Sequence, residues 1–297
     1  MHLYFSSIGF SKVRTEAELE KLLDEVFRDY QKRETAKLEN GGVFLEMSKD
    51  FVSGMGICLC GILDENGFHQ KYYFPYYRSN GTSTLEEVTV ERRADGETFA
   101  GVCDDGRMGV SMIFFVQNPS AYFKGGPIDF VKERKAGTAF TCLAQSGKIL
   151  LPVMKKEVRE EERILDISQR SGLVNAARNG DQNAIEDLTV EDMDMYSMIS
   201  KRVVNEDILS IVDTSFMPYG IECDRYQMIG TINYFTKVCN PYTGEFVYQM
   251  NVECNDMYFD VCINANDLLG EPDEGRRFKG VVWLQGRIGE EEDLPFT

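Results

Sequence analysis

Met228-Ile-Gly-Thr-Ile-Asn-Tyr234, Phe246-Val-Tyr-Gln-Met-Asn-Val252 and Met257-Tyr-Phe-Asp-Val-Cys-Ile263 decide the fold. In each, the large apolar side chains fall at every second position. A strand sends alternate residues to opposite faces, so this period marks half-buried strands and not helices. Asn240-Pro241-Tyr242-Thr243-Gly244 makes the first connection a turn. Asn264 to Gly270 reads as a short helical turn, and Phe278 to Ile288 as a last strand. Strands, a helical insertion and another strand predict a small barrel of the kind that oligonucleotide/oligosaccharide-binding folds use. Such a barrel needs five strands, and residues 208–213 are the segment expected to supply the fifth.

The front of the chain repeats the pattern. Asn66-Gly67, Asn80-Gly81, Asp95-Gly96 and Asp105-Gly106 accept the positive φ of tight hairpins. They divide strand-like runs near 54–63, 69–78, 84–92, 97–103 and 108–116, which predicts one antiparallel meander. A further hairpin at Ser146-Gly147 joins runs near 137–144 and 148–153. Ahead of the meander, Thr15 and Glu18 form a capping box. Leu19, Leu22, Leu23, Val26, Phe27 and Tyr30 follow at helical spacing, and Asn40-Gly41-Gly42 is the expected stop. This long helix is expected to cover the sheet.

Between the two strand-rich parts, Glu157 to Arg178 is charged and helical in pattern. Asn179-Gly180-Asp181 breaks it, a short helix follows through Leu188, and a third begins at a capping box on Thr189. Met198 to Val204 fits a strand as an alternative to that helix's end. The reading is therefore α+β. Residues 1–156 form a sheet-and-helix unit, 157–204 an acidic helical connector, and 205–297 a barrel-like unit with an acidic tail.

Charge and composition narrow the function. The net charge is −17, and residues 157–224 alone carry 16 acidic against 6 basic side chains. Such a field disfavours nonspecific nucleic-acid or anionic-membrane binding, without excluding a local basic face. A protein partner is compatible with it. No apolar run approaches the ~20 residues of a spanning helix, and the first residues lack the pattern of a signal peptide, so a cytoplasmic location is expected. The eight cysteines are irregularly spaced, with no Cys-x-x-Cys. Cys58 and Cys60 share one strand face and read as buried thiols, and no ligand set for a metal or cofactor is visible. His2 and His69 are the only histidines, which weakens imidazole-based mechanisms.

Three runs resemble an uncharacterised bacterial family, domain of unknown function 3881. They are Ile8-Gly9-Phe10-Ser11, Asp213 to Asp224 (Asp-Thr-Ser-Phe-Met-Pro-Tyr-Gly-Ile-Glu-Cys-Asp), and Asp267 to Gly286, which ends Gly-Arg-Arg-Phe-Lys-Gly-Val-Val-Trp-Leu-Gln-Gly. The resemblance covers nearly the whole chain. It implies a cytoplasmic bacterial protein of about this length, and brings no activity or functional residue.

Two stretches are candidate sites. In Gly275 to Ile288, parity puts Arg277, Lys279, Trp283, Gln285 and Arg287 on one face, opposite Phe278, Val282, Leu284 and Ile288. Such a row would suit a phosphate backbone with Trp283 stacked on a base. It would equally suit a packed tryptophan and arginines docked on the protein's own acidic segment. In Met217 to Asp224, Tyr219, Glu222 and Asp224 form a possible polar cluster within a Pro/Gly turn. Phe123-Lys124-Gly125-Gly126-Pro127 lacks phosphate-loop spacing and reads as a plain loop. No catalytic constellation, dinucleotide fingerprint or nucleophile elbow is present. A non-enzymatic binding or scaffold protein is the leading expectation. The alternatives are a nucleic-acid or anionic-ligand binder acting through the last strand, and an enzyme using carboxylate, tyrosine or cysteine chemistry.

Overall fold

The computed structural model describes residues 3–38, 41–79, 81–123, 132–134, 137–153, 169, 172–203 and 208–289. A 3-10 turn, Ser6–Ile8, precedes helix α1, Glu16–Arg28. Thr15 and Glu18 form the reciprocal capping box that the sequence specifies. The helix stops at Arg28, not at Gly41-Gly42, and Lys32–Lys37 is strand β1. Pairing along the whole of β1 with β2, Val43–Val52, gives Lys32–Lys37 ladder partners that a continued helix would forgo. Leu19, Leu22, Leu23 and Val26 of α1 are buried, whereas Phe27 and Tyr30 near its end are exposed.

The meander continues with β3, Met55–Asp64, and β4, Gly67–Tyr77. Strands β1 to β4 make one four-stranded antiparallel sheet, and α1 packs on it. The single expected meander ends there. Strands β5, Val88–Arg92, β6, Phe99–Cys103, and β7, Met112–Val116, join a second sheet. That sheet continues through α2, Ser120–Phe123, to β8, Lys132–Arg134, and β9, Thr138–Leu150. Ser146-Gly147 lies inside β9 as continuous strand, so the hairpin expected there is absent. Among these connections, Asn66 and Gly67 sit at the β3–β4 turn and Asp95-Gly96 at the β5–β6 turn, as expected. Asp105-Gly106 lies in the longer β6–β7 loop.

Residues 172–178 are helical, and α3, Gln182–Val203, is one helix where two were expected. Gly180 takes a positive φ of 88°, and the Asp181 carboxylate accepts from the Asn183 and Ala184 amides to start α3. The strand alternative for 198–204 is not adopted up to Val203. Ile208–Ile211 is a short helix, α4. The remaining strands are β10, Ser215–Pro218; β11, Arg225–Cys239; β12, Phe246–Cys254; β13, Met257–Asn264; β14, Leu268–Leu269; and β15, Arg277–Ile288. The expected helical turn is a 3-10 segment, Ala265–Asp267. Residues 124–127, 154–168 and 290–297 lie outside the described part. With them go most of the glycine-rich loop, the start of the acidic connector and the acidic tail.

Strands β11, β12, β13, β9 and β15 pair in that order, and β15 pairs back to β11. This is the closed five-stranded barrel. Its fifth strand is β9, from the front half of the chain, because 208–211 is helical. The unit expected from 205–297 is thus completed by Thr138–Leu150, set parallel to β13 and antiparallel to β15. The barrel interior takes the alternate residues that opened the reading: Ile232, Met250, Val252, Phe259, Val261, Ile263 and Phe278 are all fully buried.

The two sheets meet at the outer edge of β4. An edge strand presents backbone groups that need partners. Here two glutamines supply them. Gln285 Nε2 donates to the Pro75 carbonyl at 2.8 Å, and Gln117 Nε2 to the Tyr77 carbonyl at 2.9 Å. Gln117 Nε2 also donates to Gln285 Oε1 at 2.7 Å, which links the two.

Among the described residues no helix is long and apolar enough to cross a membrane. All eight cysteines are free; Cys223 and Cys239 are exposed and the other six buried. A thiol reagent such as Ellman's is therefore expected to label two cysteines rapidly in the native protein and eight after denaturation. More than two fast thiols would show that the six buried positions are misassigned.

Candidate functional site

Alternation along β15 assigns side chains to faces, and the neighbours decide what those faces meet. Arg277 is 3% exposed. Its guanidinium donates to the carbonyls of Leu151, Val212 and Leu209 at 2.9, 2.5 and 2.6 Å. Two of those carbonyls lie at the end of α4, where backbone acceptors lack helical partners. Burial lowers the pKa of Arg277, against the pull of Asp213. Gln285 is buried in the seam described above. Lys279 is half-buried with Lys148 as its partner on β9, and Arg287 is half-buried. The five residues therefore do not form a single row open to solvent. The arginine expected to lead that row caps the protein's own backbone.

Trp283 belongs elsewhere. It is 5% exposed and lies 5.2 Å from the Tyr4 ring and 5.0 Å from Phe115, centroid to centroid. Its Nε1 donates to Asp224 Oδ2 at 2.8 Å. Arg93, in the β5–β6 turn, donates from Nη2 to the same oxygen at 2.5 Å. The Leu284 amide donates to the Asp224 carbonyl at 2.8 Å, which pins the turn before β11 to β15. Asp224 is thus a buried carboxylate joining three distant segments.

Beside it, Arg225 Nε donates to the Tyr4 hydroxyl at 2.9 Å, Nη2 to Gln145 Oε1 at 3.2 Å, and Nη1 pairs with Glu222 at 3.2 Å. Burial pushes the Tyr4 phenol up to about 12, against the pull of Arg225. Glu222 is exposed; its own amide, then the Arg225 bond, hold its carboxyl below the usual range. Of the expected cluster, Glu222 and Asp224 line one cleft. Tyr219 does not: it is exposed, and its backbone amide donates to the Arg225 carbonyl in the β10–β11 turn. Each carboxylate has a cationic partner and Tyr219 stands apart, so the arrangement offers no acid–base pair across a reacting group.

The cleft encloses about 440 Å³ at the junction of the four-stranded sheet and the barrel. Tyr72, Tyr73 and Phe74 of β4 form one wall. Tyr4, Phe115 and Trp283 add aromatic surface, and Arg93, Asp95, Glu222, Asp224 and Arg225 rim it. The volume is within the range of small-molecule sites, and a few polar groups among aromatics is their usual lining. Buried polar atoms in folded proteins are nearly always satisfied. Among the described residues Arg93 Nε and Thr138 Oγ1 are buried side-chain atoms without a hydrogen-bond partner, while the buried Tyr72 hydroxyl lies against Cys60. Arg93 and Tyr72 both line this cleft, with Arg93 Nε and the Tyr72 hydroxyl themselves enclosed.

Arg93 escaped the sequence reading. Asp95-Gly96 marked its turn, but nothing local announces that the arginine before it crosses to a carboxylate 131 positions away. Cys58 and Cys60 lie with their sulfurs 3.8 Å apart, fully buried, and burial raises the Cys58 pKa strongly. Among the described residues no group of three or more His, Cys, Asp or Glu is placed to hold a metal.

Fold and cleft define an α+β protein built on a closed five-stranded barrel, with a cavity of small-molecule size where a second sheet abuts it. The chain belongs to the family described as Domain of unknown function, E. rectale Gene description (DUF3881), whose model matches residues 5–286. No curated protein and no solved structure matches it.

Proposed function

We propose that this is a cytoplasmic bacterial protein that binds a small molecule without transforming it, and that the sheet–barrel cleft is the binding site. The observation that carries the reading is the cleft itself, about 440 Å³ lined by Tyr4, Tyr72, Tyr73, Phe115 and Trp283 with Arg93, Asp224 and Arg225 at its rim. A concavity of that size lined by aromatic rings and a few polar groups is the usual form of a small-molecule site. Asp224 and Glu222 are each paired with an arginine, which speaks for binding and against proton transfer. The nucleic-acid alternative through β15 draws less support, since Arg277 and Gln285 are buried on internal partners.

The chain has one tryptophan, and it lines the cleft. Its indole N–H therefore gives a single resonance that reports on this site. A fragment mixture of benzamide, benzoate, benzylamine and cyclohexanol is expected to move that resonance saturably, together with the backbone amides of residues 72–74 and 93–98. If no fragment moves it, or if all shifts gather at the barrel mouth around Lys237 and Phe246, the cleft is not the binding site.

A further inference from the structure

The residues that line the cleft and those an entering molecule can reach are different sets. Phe74, Phe115 and Trp283 stand almost wholly enclosed in its wall, whereas Tyr72 and Tyr73 are half-buried and Leu3 is exposed. The charged groups divide in the same way. The Arg93 and Arg225 side chains are 24% and 16% exposed, and each is committed to a carboxylate, Arg93 to Asp224 and Arg225 to Glu222. The Glu222 side chain is 49% exposed, and Asp95 is exposed as well. Three carboxylates thus stand against two guanidinium groups on the rim, and the carboxylates turn more of themselves to solvent. Burial works against the Asp95 carboxylate, but the Thr98 hydroxyl and the Thr98 and Glu97 amides outweigh it and hold its pKa below the usual range. With Glu222 also held low, both exposed groups are charged at neutral pH.

The aromatic walls act in the same direction. A ring face carries the negative part of the quadrupole and attracts a cation set over it. Two rings of this cleft already hold a cation in that way. The Arg93 guanidinium lies 5.7 Å from the Phe115 centroid, and that of Arg225 lies 5.8 Å from the Tyr4 centroid. Among the described residues no cation lies over Tyr72 or Tyr73, the two rings more open to a ligand. Beyond the rim, the net charge of −17 raises the local concentration of small cations, and a cleft with low-dielectric walls focuses that field. An anion would meet the opposite. It would have to displace an internal carboxylate from a guanidinium and leave a like charge beside itself.

We infer that the cleft takes a small organic cation, an ammonium group on an apolar body, whose charge is met by the exposed carboxylates Asp95 and Glu222 and whose body lies against Tyr72 and Tyr73. The inference rests on the cleft being the binding site and adds the chemical class of the ligand. A bare metal ion does not fit: among the described residues no group of three or more His, Cys, Asp or Glu is placed to hold one, and the reachable walls are aromatic.

The test titrates benzylammonium, benzyl alcohol and benzoate into the wild-type protein at low salt. These probes share one ring and nearly one shape, and are positive, neutral and negative. The readout is the Trp283 indole resonance with the backbone amides of residues 72–74 and 93–98. Benzylammonium is expected to bind more tightly than benzyl alcohol by about five-fold or more, and benzoate more weakly than either. Glu222→Gln, at an exposed position, and Asp95→Asn, which keeps an acceptor for the Glu97 and Thr98 amides, are each expected to weaken benzylammonium about three-fold and leave benzyl alcohol unchanged. Benzyl alcohol or benzoate binding as tightly as benzylammonium would overturn the cationic class while leaving the cleft as a site. Benzylammonium binding that both variants leave unchanged would overturn the part given to the rim carboxylates. No response of these resonances to any of the three probes would overturn both the class and the site. The wild-type comparison decides the class without either variant.

Discussion

Asp224→Ala is expected to destabilise the protein by about 3 kcal/mol, read as a fall in the urea midpoint at unchanged slope. The carboxylate is 5% exposed and holds Arg93 Nη2 and Trp283 Nε1 on one oxygen. Removing it leaves an indole N–H and a guanidinium without their acceptor. Breaking a fully buried pair costs ~3–5 kcal/mol. The Arg93 side chain is 24% exposed and keeps some access to water, which sets the lower end of that range. The backbone bond from Leu284 to the Asp224 carbonyl survives the substitution, so the turn should stay in place. Asp224→Asn retains one acceptor oxygen but loses the charge, and is expected to cost about half as much. Combining Asp224→Leu with Arg93→Met removes both charges and should cost less than Asp224→Ala alone. A loss below about 1 kcal/mol for Asp224→Ala would mean that this junction contributes little to holding the two sheets together.

Alternation carried much of this architecture and stopped at a definite point. A period of two says which residues share a face, so the interiors of β11, β12 and β13 are legible in the sequence. It does not say which strand lies beside which. Strand β9 ends 75 positions before β11 begins, and its apolar residues fit either sheet equally well. Only the closed pairing of β15 with both β9 and β11 assigns it to the barrel. The same gap explains Arg277. Parity placed it on the face away from Phe278, but no property of β15 reveals that α4 lies over that face. The stop of α1 at Arg28 has another cause. Lys32 to Lys37 is polar with helical propensity in several positions, and long-range pairing with β2 overrides a weak local preference. In the cleft, Trp283 comes from one sequence motif and Glu222 and Asp224 from another. Their meeting depends on register between β11 and β15, where Arg225 sits opposite Trp283. Arg93 and the β4 wall come from a different part of the chain again, and one sequence holds no signal for that contact.

The same closure yields the second large effect. A five-stranded barrel is narrow, and its interior must hold the Phe278 ring. Gly280 lies two residues along the same face and pairs with Gly147 on β9. A Cβ on Gly280 would stand 2.5 Å from Phe278 Cζ and 2.8 Å from the Ser146 carbonyl oxygen. A Cβ on Gly147 would stand 2.5 Å from Phe278 Cε2. The ring therefore lies across a paired-glycine floor, and one of the obstacles at Gly280 is backbone that cannot rotate aside. Gly280→Ala is expected to cost about 3 kcal/mol, at the upper end of ordinary overpacking, and Gly280→Val to prevent folding. Phe278→Ala alone should cost ~3–5 kcal/mol by leaving a cavity. Joined to Phe278→Leu, Gly280→Ala should lose much of its effect, because the shorter side chain vacates the space the new methyl needs. Gly172→Ala provides the contrast: its Cβ would meet nothing within 4 Å and its φ is unstrained, so gaining up to ~1 kcal/mol is expected from helix propensity. Strict additivity of Gly280→Ala with Phe278→Leu, in thermal or urea unfolding, would show that the ring does not rest on this glycine pair.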